Sequence, residues 1–418
     1  MWLALGHQSA VSDRSVELSE EEVAIVLGFS PVPAPPPDPT NAVYENAAAA
    51  RLGHALFYDE ILSGPGAVSC ATCHDPDKSW TDGRQLAKGV EHLPRHTMTL
   101  WNVAHSRWFF WDGRKDTLWS QALAPLEDPR EHASSRLQIA HAIASDVDYA
   151  RAYADVFGTL PDISDPSRFP AEGRPVPGEP EHPHAIAWES MAPDDREIVN
   201  RIFTNVGKAL ASFERAIISR RSPFDVFVEG LRESDAEKQR TLGDGARRGL
   251  KLFLGKARCH LCHDGPNFTD LEFHDNRVPI SEEGADLGRR LGIRTVKNDP
   301  FNCSGPYADD GGNTGRTKLA FPDAHGTRQF KTPTLRNVAC TAPYMHEGQF
   351  ASLQDVVEFY SNLERASPES LDSERLIQPL NLTTEEKADL VAFLESLTDE
   401  GVPDELRRPP STPYLPPD

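Results

Sequence analysis

Apolar residues recur at three- and four-residue steps along much of the chain, which is the pattern of helices with one buried face. The longest such series consists of Ile198, Ile202, Val206, Ala209, Phe213 and Ile217. We expect this helix to end at Pro223, and we expect further helices over 47–56 and around 250–254. Strand patterns are few. The sequence therefore predicts a mainly α-helical protein with long ordered loops and few strands.

Two more helices are expected near the carboxyl end, with apolar faces over 356–359 and 390–394. Ser352 followed by Asp355 resembles the capping pair that starts a helix. Thr384 followed by Lys387 stands at the corresponding place before the second helix but does not resemble such a pair. We therefore expect a capping pair at the first of these helices only.

Two clusters of proline divide the chain into parts. Prolines between residues 30 and 41 fix the backbone and remove amide donors, which predicts an extended strap. A second cluster, from Pro161 to Pro193, predicts a linker or surface excursion. Because 418 residues exceed one compact core, two domains are expected. The predicted parts are a Pro-rich strap (1–42), an amino-terminal domain (43–160), a linker (161–195), a carboxyl-terminal domain (196–400) and a tail (401–418).

Composition and charge narrow the class of protein. Apolar residues make up 39% and charged residues 26% of the sequence, which is ordinary for a folded globular protein. No stretch approaches the roughly 18 consecutive apolar residues that a membrane-spanning helix needs. The formal charge of −21 argues against a nucleic-acid partner, because phosphates require a field of lysine and arginine. A partner attracted by this charge would be basic, while solubility alone explains the acidity equally well.

Two Cys-x-x-Cys-His segments carry the candidate chemistry. They are Cys70-Ala71-Thr72-Cys73-His74 and Cys259-His260-Leu261-Cys262-His263. In such a segment two thiols can form thioethers to the heme vinyl groups, while the next residue presents an imidazole to the iron. A zinc site, a redox dithiol or a disulfide would use the same residue types, but a thioredoxin-like dithiol needs a βαβ context that is absent here. The segments therefore predict two covalently bound heme c groups, one in each domain.

The remaining cysteines and the cofactor bear on the cellular compartment. Cys303 and Cys340 would pair as a disulfide in an oxidising compartment, or stay as two separate thiols. Heme attachment to paired thiols takes place outside the cytoplasmic membrane, so a periplasmic location is expected. Residues 1–5 have neither the cationic start nor the apolar run of a secretory signal. The expected location therefore depends on the cofactor chemistry alone.

Three further motifs accompany the heme segments. They are Leu52-Gly53-His54-Ala55-Leu56-Phe57, Phe110-Trp111-Asp112-Gly113-Arg114 and Thr332-Pro333-Thr334-Leu335-Arg336-Asn337. With these motifs in this order, residues 43–400 resemble the bacterial diheme cytochrome c peroxidases and their MauG-like relatives. The resemblance implies two cytochrome c-like heme domains and a reaction with hydrogen peroxide. MauG-like members drive the oxidative modification of a partner protein.

The resemblance assigns roles around the first heme, which is the one that reacts with peroxide. It implies that His74 is the proximal ligand and that Gln121, Pro125 and Glu131 line the open opposite face. Glu131 would take and return a proton, Gln121 would hold peroxide or water, and Pro125 would exclude a sixth protein ligand. Trp111 would lie between the hemes as an electron relay. Without the family, Gln121 and Glu131 would be surface residues, Pro125 a loop proline and Trp111 core filler.

The resemblance also implies a protein ligand opposite His263 at the second heme. Spacing after the Pro-Tyr-x-His-x-Gly motif, residues 343–348, places Tyr360 where the peroxidase branch has methionine and MauG-like enzymes have tyrosine. A thioether raises the potential, whereas a phenolate stabilises oxidised iron, so that both irons can reach Fe(IV). The alternative is that Tyr360 fills the core and Met345 is the ligand.

The chain departs from the family pattern near the hemes. Lys88 stands where the peroxidase branch often has a histidine that closes the distal site, with His92 close by, so we expect an open site without reductive activation. A calcium ion between the hemes would use the carbonyls of Thr341 and Pro343. His96 replaces its asparagine ligand, and imidazole is a poor calcium ligand.

The resemblance leads to a peroxide-dependent oxidase that abstracts electrons from an amino acid, tryptophan above all, of a periplasmic partner protein. The chain further resembles the subgroup paired with copper-binding partners in three segments, namely the Pro-rich start, Arg95-His96-Thr97 and residues 108–111. Ala257 replaces a surface tryptophan used for electron exit, so another route is expected. The alternative is a cytochrome c peroxidase that reduces peroxide with electrons from a small cytochrome c or copper protein. A non-catalytic electron carrier would need neither Gln121 nor Glu131.

Overall fold

The computed structural model describes residues 16–280, 286–320, 326–399 and 401–414. The first helices are α1 (Glu20–Val26), α2 (Ala47–Tyr58), α3 (Cys70–Cys73), α4 (Leu118–Glu127), α5 (Arg136–Ser145), α6 (Val147–Phe157), α7 (Pro183–Ser190) and α8 (Pro193–Glu214). They are followed by α9 (Pro223–Glu233), α10 (Ala236–Gln239), α11 (Asp244–Leu254), α12 (Gly288–Asn298), α13 (Arg316–Leu319), α14 (Leu353–Asn362) and α15 (Thr384–Glu395). Strands β1 (Phe273–His274) and β2 (Phe330–Lys331) pair antiparallel. The predicted mainly α-helical fold is confirmed, and none of these helices is long and apolar enough to cross a membrane.

The first hydrophobic core forms around α8, against which α2 and α4 pack. The α2 contact is close because Gly53 has no side chain, and a Cβ there would lie 1.9 Å from the Ala209 carbonyl oxygen. On α8, a Cβ at Gly207 would lie 2.6 Å from the Trp119 carbonyl oxygen of α4. Helix α2 also contacts α3, which carries the first Cys-x-x-Cys-His motif. The packing of α2 on α8 therefore helps to position α3 and its motif beside the first core.

The second hydrophobic core repeats this arrangement with α11 packed on α15. A Cβ on Gly249 would lie 2.0 Å from the Asp389 carbonyl oxygen, so this helix pair also depends on a glycine. Helix α11 contacts the turn at Cys259–Leu261, which carries the second motif. The two halves, whose sequences show only weak self-similarity, thus share one packing plan.

The limits of the two cores differ from the predicted domain limits. The buried face of α8 belongs to the first core, although a boundary at residue 196 would assign most of this helix to the carboxyl-terminal domain. Residues 161–195 are not a purely surface excursion, because Phe169 and Trp188 are buried in the first core. Their apolar side chains are spaced irregularly, so no periodicity marks them as buried. The division into five parts stays a prediction.

The strap and the tail connect the two cores. Phe29, just before the proline cluster of the strap, stacks on Phe268 of the second core with ring centroids 4.8 Å apart. Thr40 at the other end accepts a hydrogen bond from Trp119 Nε1 of the first core at 2.9 Å. From the opposite end of the chain, the Leu406 carbonyl of the tail accepts a hydrogen bond from the Tyr58 hydroxyl. Between its two contacts the strap forms neither helix nor strand over residues 32–38.

Two predicted helix ends are placed differently in the structure. Pro223 begins α9 instead of ending α8, because proline in the first turn of a helix gives up an amide that would be unpaired there. Helix α15 has a capping box between Thr383 and Glu386, one residue before the predicted start, so the expectation that this helix lacks a capping pair is wrong. The capping box that begins at Ser352 on α14 is confirmed.

Candidate heme and peroxide site

One cavity of about 570 Å³ is lined by residues of both Cys-x-x-Cys-His motifs. Loop segments supply most of its wall, so the loops of this helical protein serve to enclose the cavity. The cavity brings together most of the predicted site residues. Those at its wall are Cys73, His74, Trp111, Gln121, Pro125, Glu131, Cys262, His263, Thr341, Pro343, Met345 and Tyr360.

The two motif histidines are held in the same way. His74 Nδ1 lies 3.0 Å from the Trp80 carbonyl oxygen, and His263 Nδ1 lies 2.9 Å from the Phe268 carbonyl oxygen. An imidazole that donates its Nδ1–H to a carbonyl has a fixed ring and keeps the Nε2 lone pair for a metal. Burial lowers the pKa of both imidazoles, which favours the neutral ligand form. Both side chains therefore fit the axial ligands of two heme irons.

The four motif cysteines are unpaired thiols, as thioether attachment requires. Burial raises the pKa of both Cys73 and Cys259 to about 12. A redox dithiol instead needs a lowered thiol pKa, because the thiolate is the reactive form. The motifs therefore fit heme attachment better than thiol–disulfide exchange. Outside the motifs, Cys303 is buried, Cys340 is exposed, and the two are not bonded to each other.

The three predicted distal residues lie together on α4 and in the turn that follows it. Gln121 and Pro125 line the cavity from α4, and Glu131 lines it from the turn. Backbone hydrogen bonds fix this turn, since the Glu131 amide donates to the Asp128 carbonyl and its carbonyl accepts from the Val90 amide at 3.0 Å. Burial raises the pKa of Glu131 to about 7. Near neutral pH this carboxyl can therefore both accept and release a proton.

Trp111 is buried at the cavity wall and oriented by hydrogen bonding. Its Nε1 donates to the His96 carbonyl at 2.9 Å, and its ring meets the edge of the His346 ring with centroids 6.5 Å apart. The nearby Trp108 instead faces the Arg289 guanidinium, 4.0 Å from the ring centroid. A cation over an indole makes removal of an electron from that indole less favourable. This contrast supports Trp111, not Trp108, in the relay role, which stays a prediction.

Tyr360 lines the cavity from α14, on the side of the second motif. Burial raises the pKa of its hydroxyl, and the thiols of Cys259 and Cys262 are near enough to add to the effect. Asn276 Nδ2 lies 3.2 Å from the hydroxyl oxygen. An amide N–H at this place can donate to a phenolate, which only accepts hydrogen bonds. Met345 also lines the cavity, so both predicted candidates for the second axial ligand are at its wall.

The predicted calcium donors do not form a set that suits this ion. His96 is buried, and its Nδ1 lies 2.7 Å from the Arg84 carbonyl oxygen. The Thr341 carbonyl also acts on this imidazole as a hydrogen-bond acceptor. Because burial lowers the pKa of His96, the ring is neutral and has a single N–H to donate to one of these carbonyl oxygens, whereas calcium requires oxygen ligands that present lone pairs to it. The calcium ion therefore stays a prediction.

Among the cavity side chains that the sequence did not predict are Lys331 and Asn276. Lys331 lines the cavity and immediately precedes the Thr332 motif. Lysine is ordinarily a surface residue, so its residue type indicated no place in a cavity wall. Asn276 lies in the loop after β1, where no sequence pattern marks it. Lys88 and His92, the positions considered for closing the distal site, do not line the cavity.

Comparison with known proteins identifies the family. Residues 47–233 match the model described as di-haem cytochrome c peroxidase. The chain is 31% identical over 396 residues to the methylamine utilization protein MauG of Methylorubrum extorquens, which covers 94% of this chain and 90% of that protein. This chain therefore belongs to the di-haem cytochrome c peroxidase and MauG family, a family of enzymes with two hemes.

Other similar proteins come from both branches. The chain is 32% identical over 369 residues to the cytochrome-c peroxidase IdrP2 of Pseudomonas sp. (strain SCT), covering 86% of this chain and 85% of that protein. A crystal structure of a MauG-like protein associated with microbial copper homeostasis matches with a TM-score of 0.62 and 26% identity over 91% of this chain and 98% of that chain. The diheme peroxidase BthA from Burkholderia thailandensis has the same fold, with a TM-score of 0.61, 23% identity and coverage of 91% and 93%. The similarities define the family but not the branch.

Proposed function

We propose that this chain is a hydrogen peroxide-dependent oxidoreductase of the MauG-like branch, which oxidises a residue, a tryptophan, of a partner protein. The observation that carries the proposal is the Tyr360 hydroxyl in the cavity, near the thiols of the second motif and 3.2 Å from Asn276 Nδ2. A phenolate opposite His263 would stabilise oxidised iron. Such a centre is suited to giving up electrons to peroxide from its resting state.

The chain supplies the groups that peroxide cleavage needs at the first site. The hemes, when bound, supply the electrons that peroxide takes. Gln121 holds peroxide in place by hydrogen bonding, and Pro125 has no side-chain nitrogen, oxygen or sulfur atom that could bind iron in place of peroxide. Glu131 accepts a proton from one peroxide oxygen and returns it to the other, which leaves as water. General acid–base catalysis of this kind contributes about 10²- to 10⁴-fold to a rate.

The partner is proposed to be a periplasmic protein with a basic docking surface, because this chain carries a formal charge of −21. The similar structure associated with microbial copper homeostasis supports a partner from copper metabolism. Ala257 is buried and has no oxidisable side chain, so electrons from the partner take another route. The periplasm is also the compartment in which heme c attachment takes place.

Adding peroxide to the diferric protein tests this function. We expect a near-infrared absorption band without prior reduction, because the two hemes then share the oxidising equivalents. Tyr360→Met should raise the midpoint potential of the second heme and abolish the band, while the control Met345→Leu should leave both unchanged. An unchanged potential in Tyr360→Met would remove Tyr360 as the ligand.

A cytochrome c peroxidase is the second candidate function, favoured by the 32% identity to IdrP2 and by Met345 at the cavity wall. Such an enzyme would reduce peroxide to water with electrons from a small cytochrome c or copper protein. Turnover would then begin only after one-electron reduction of the second heme. Met345→Leu would lower the potential of that heme, and Tyr360→Phe would leave it unchanged.

A further inference from the structure

In the ranges that the structure describes, the arginine, lysine and carboxylate side chains at the cavity wall form ion pairs, with two exceptions. Four arginines line the cavity, and each forms an ion pair. These pairs are Arg95 with Asp286 and Glu347, Arg114 with Asp112, Arg130 with Asp128, and Arg328 with Asp275. Lys331 also lines the cavity, but it has no carboxylate partner among the described residues. Of the carboxylates at the wall, Glu131 alone lacks a cation partner within the described part of the chain, and it serves the peroxide site.

Hydrogen bonds fix the position of Lys331, although no carboxylate among the described residues pairs with its ammonium group. It is 7% exposed on β2, and its ammonium group donates to the Trp108 carbonyl oxygen at 3.1 Å. Its backbone amide donates to the Trp111 carbonyl oxygen at 2.8 Å. One neutral carbonyl does not compensate a buried ammonium, and burial accordingly lowers the pKa of Lys331 to about 8. An anion inside the cavity would supply the missing partner.

We infer that Lys331 binds a carboxylate inside the cavity, and that this carboxylate is a propionate of one of the two hemes. Each heme c carries two propionates, and covalent attachment at the motif cysteines confines them to this cavity. The arginines of the wall already form ion pairs with aspartate and glutamate, so Lys331 is the wall cation that has no carboxylate partner in the described segments. Because Lys331 also bonds to the carbonyls of Trp108 and Trp111, it would join the cofactor to the turn that carries Trp111.

Two substitutions of Lys331 distinguish binding of a propionate from simple structural support. Lys331→Gln removes the charge but keeps an N–H donor for the Trp108 carbonyl, whereas Lys331→Arg keeps the charge. Lys208→Gln is the matched control, because Lys208 is another buried lysine but pairs with Asp309 outside the cavity wall. All three are compared with the wild-type holoprotein in spectroelectrochemical titrations from pH 6 to pH 9.

We expect Lys331→Gln to lower the midpoint potential of one heme at high pH and to give that potential a new pH dependence. The reason is that an uncompensated propionate stabilises ferric iron until it is protonated. Lys331→Arg should keep the wild-type potential, and Lys208→Gln should lower stability without shifting either potential. An unchanged potential in Lys331→Gln, or equal shifts in Lys331→Gln and Lys331→Arg, would overturn the inference.

Two further measurements cover the other outcomes. If sodium formate perturbs the heme spectrum of the wild type but not of Lys331→Gln, the site takes a soluble carboxylate and the propionate assignment is wrong. If Lys331→Gln does not load two hemes, infrared difference spectra of the wild type with ¹³C-labelled propionates replace it. A labelled propionate that stays ionised well below the ordinary carboxylic pKa of about 4 would support the pairing, and titration of all labelled propionates near that value would refute it.

Discussion

Burial shifts the pKa values of ionisable side chains in the cavity in opposite directions, because it disfavours the charged form of acids and bases alike. It raises the pKa of Glu131 to about 7 and lowers the pKa of Lys331 to about 8, so both change charge near neutral pH. At the cavity wall, proton and anion chemistry is therefore expected at these two side chains, which have no oppositely charged partner among the described residues.

The peroxide reaction should depend on the ionisation of Glu131. Because the carboxylate is the base, the rate constant should rise with pH through about 7 and level off above it. In Glu131→Gln this dependence should vanish and the rate constant should fall by about 10²- to 10⁴-fold. Stopped-flow mixing with peroxide across this pH range measures both effects. Glu91→Gln, at an exposed neighbouring position, is the control, and an intact rate constant in Glu131→Gln would contradict the general-base role.

The amide of Asn276 should act on the second heme through Tyr360. A phenolate that loses a donated hydrogen bond becomes a stronger donor to ferric iron, and such a bond to a charged group is worth about 1.5–3 kcal/mol. Asn276→Leu should therefore lower the potential of the second heme, as measured by spectroelectrochemistry. Asn362→Leu, at the end of the same helix as Tyr360, should leave it unchanged. Equal potentials for Asn276→Leu and the wild type would show that the amide does not tune this ligand.

At the scale of elements, glycines decide how closely helices approach each other. In each half a helix leading toward a heme motif presents a glycine to the backbone of a later helix, Gly53 against α8 and Gly249 against α15. The motif Leu52-Gly53-His54 was singled out by family resemblance. Its physical role depends on a tertiary contact, because a Cβ at Gly53 would lie 1.9 Å from the Ala209 carbonyl oxygen.

Gly249→Ala should destabilise the protein, because the added Cβ would lie 2.0 Å from the Asp389 carbonyl oxygen on a backbone that cannot move alone. Overpacking of this kind costs about 1–3 kcal/mol. Gly245→Ala in the same helix meets a side-chain oxygen at 3.3 Å and gains helix propensity of up to about 1 kcal/mol. Denaturant unfolding should therefore show a clear loss for the first variant and little change or a gain for the second. Equal unfolding free energies would refute the close-packing account.

At the scale of the whole molecule, buried polar contacts connect distant segments. Arg336 is fully buried and forms an ion pair with Asp225 of α9 at 2.6 Å. The same guanidinium donates to the Phe29 carbonyl at 3.1 Å and to the Pro266 carbonyl at 2.8 Å. One side chain of the Thr332–Asn337 motif thus ties together the start of the strap, α9 and the loop after the second heme motif.

Glu214 should make the stability of the protein fall with rising pH. It is 5% exposed at the end of α8, its Oε2 has no partner within the described residues, and burial raises its pKa to about 8. The folded protein keeps a proton that the unfolded chain loses above about pH 4.5, so stability is fully present below that pH and is lost as pH rises toward 8.

Glu214→Gln should remove this part of the pH dependence and should be more stable than the wild type at pH 8. Denaturant unfolding at pH 5 and at pH 8 measures the difference, and Glu237→Gln at an exposed position serves as the control. The same loss of stability between these pH values in Glu214→Gln and in the wild type would show that Glu214 is already ionised in the folded protein.

Much of the site was predictable because its signals are local. A Cys-x-x-Cys-His segment contains both attachment thiols and the ligand within one turn. Gln121, Pro125 and Glu131 carry no such signal of their own, and only the family resemblance pointed to them. Helix starts are equally local, so the capping box at Ser352 was predicted and the one at Thr383 was missed by a single residue.

The sequence alone determined the mainly helical fold and the family, and it predicted the two heme attachment motifs, because each depends on residue types at short, regular spacing. Only the tertiary structure decided which distant groups meet. Asn276 donates a hydrogen bond to Tyr360, which lies 84 residues away in the sequence. Lys331 donates one to the Trp108 carbonyl, which lies 223 residues away. No periodicity records such contacts, because they depend on how loops close over a cavity and on which buried charges are left without a partner.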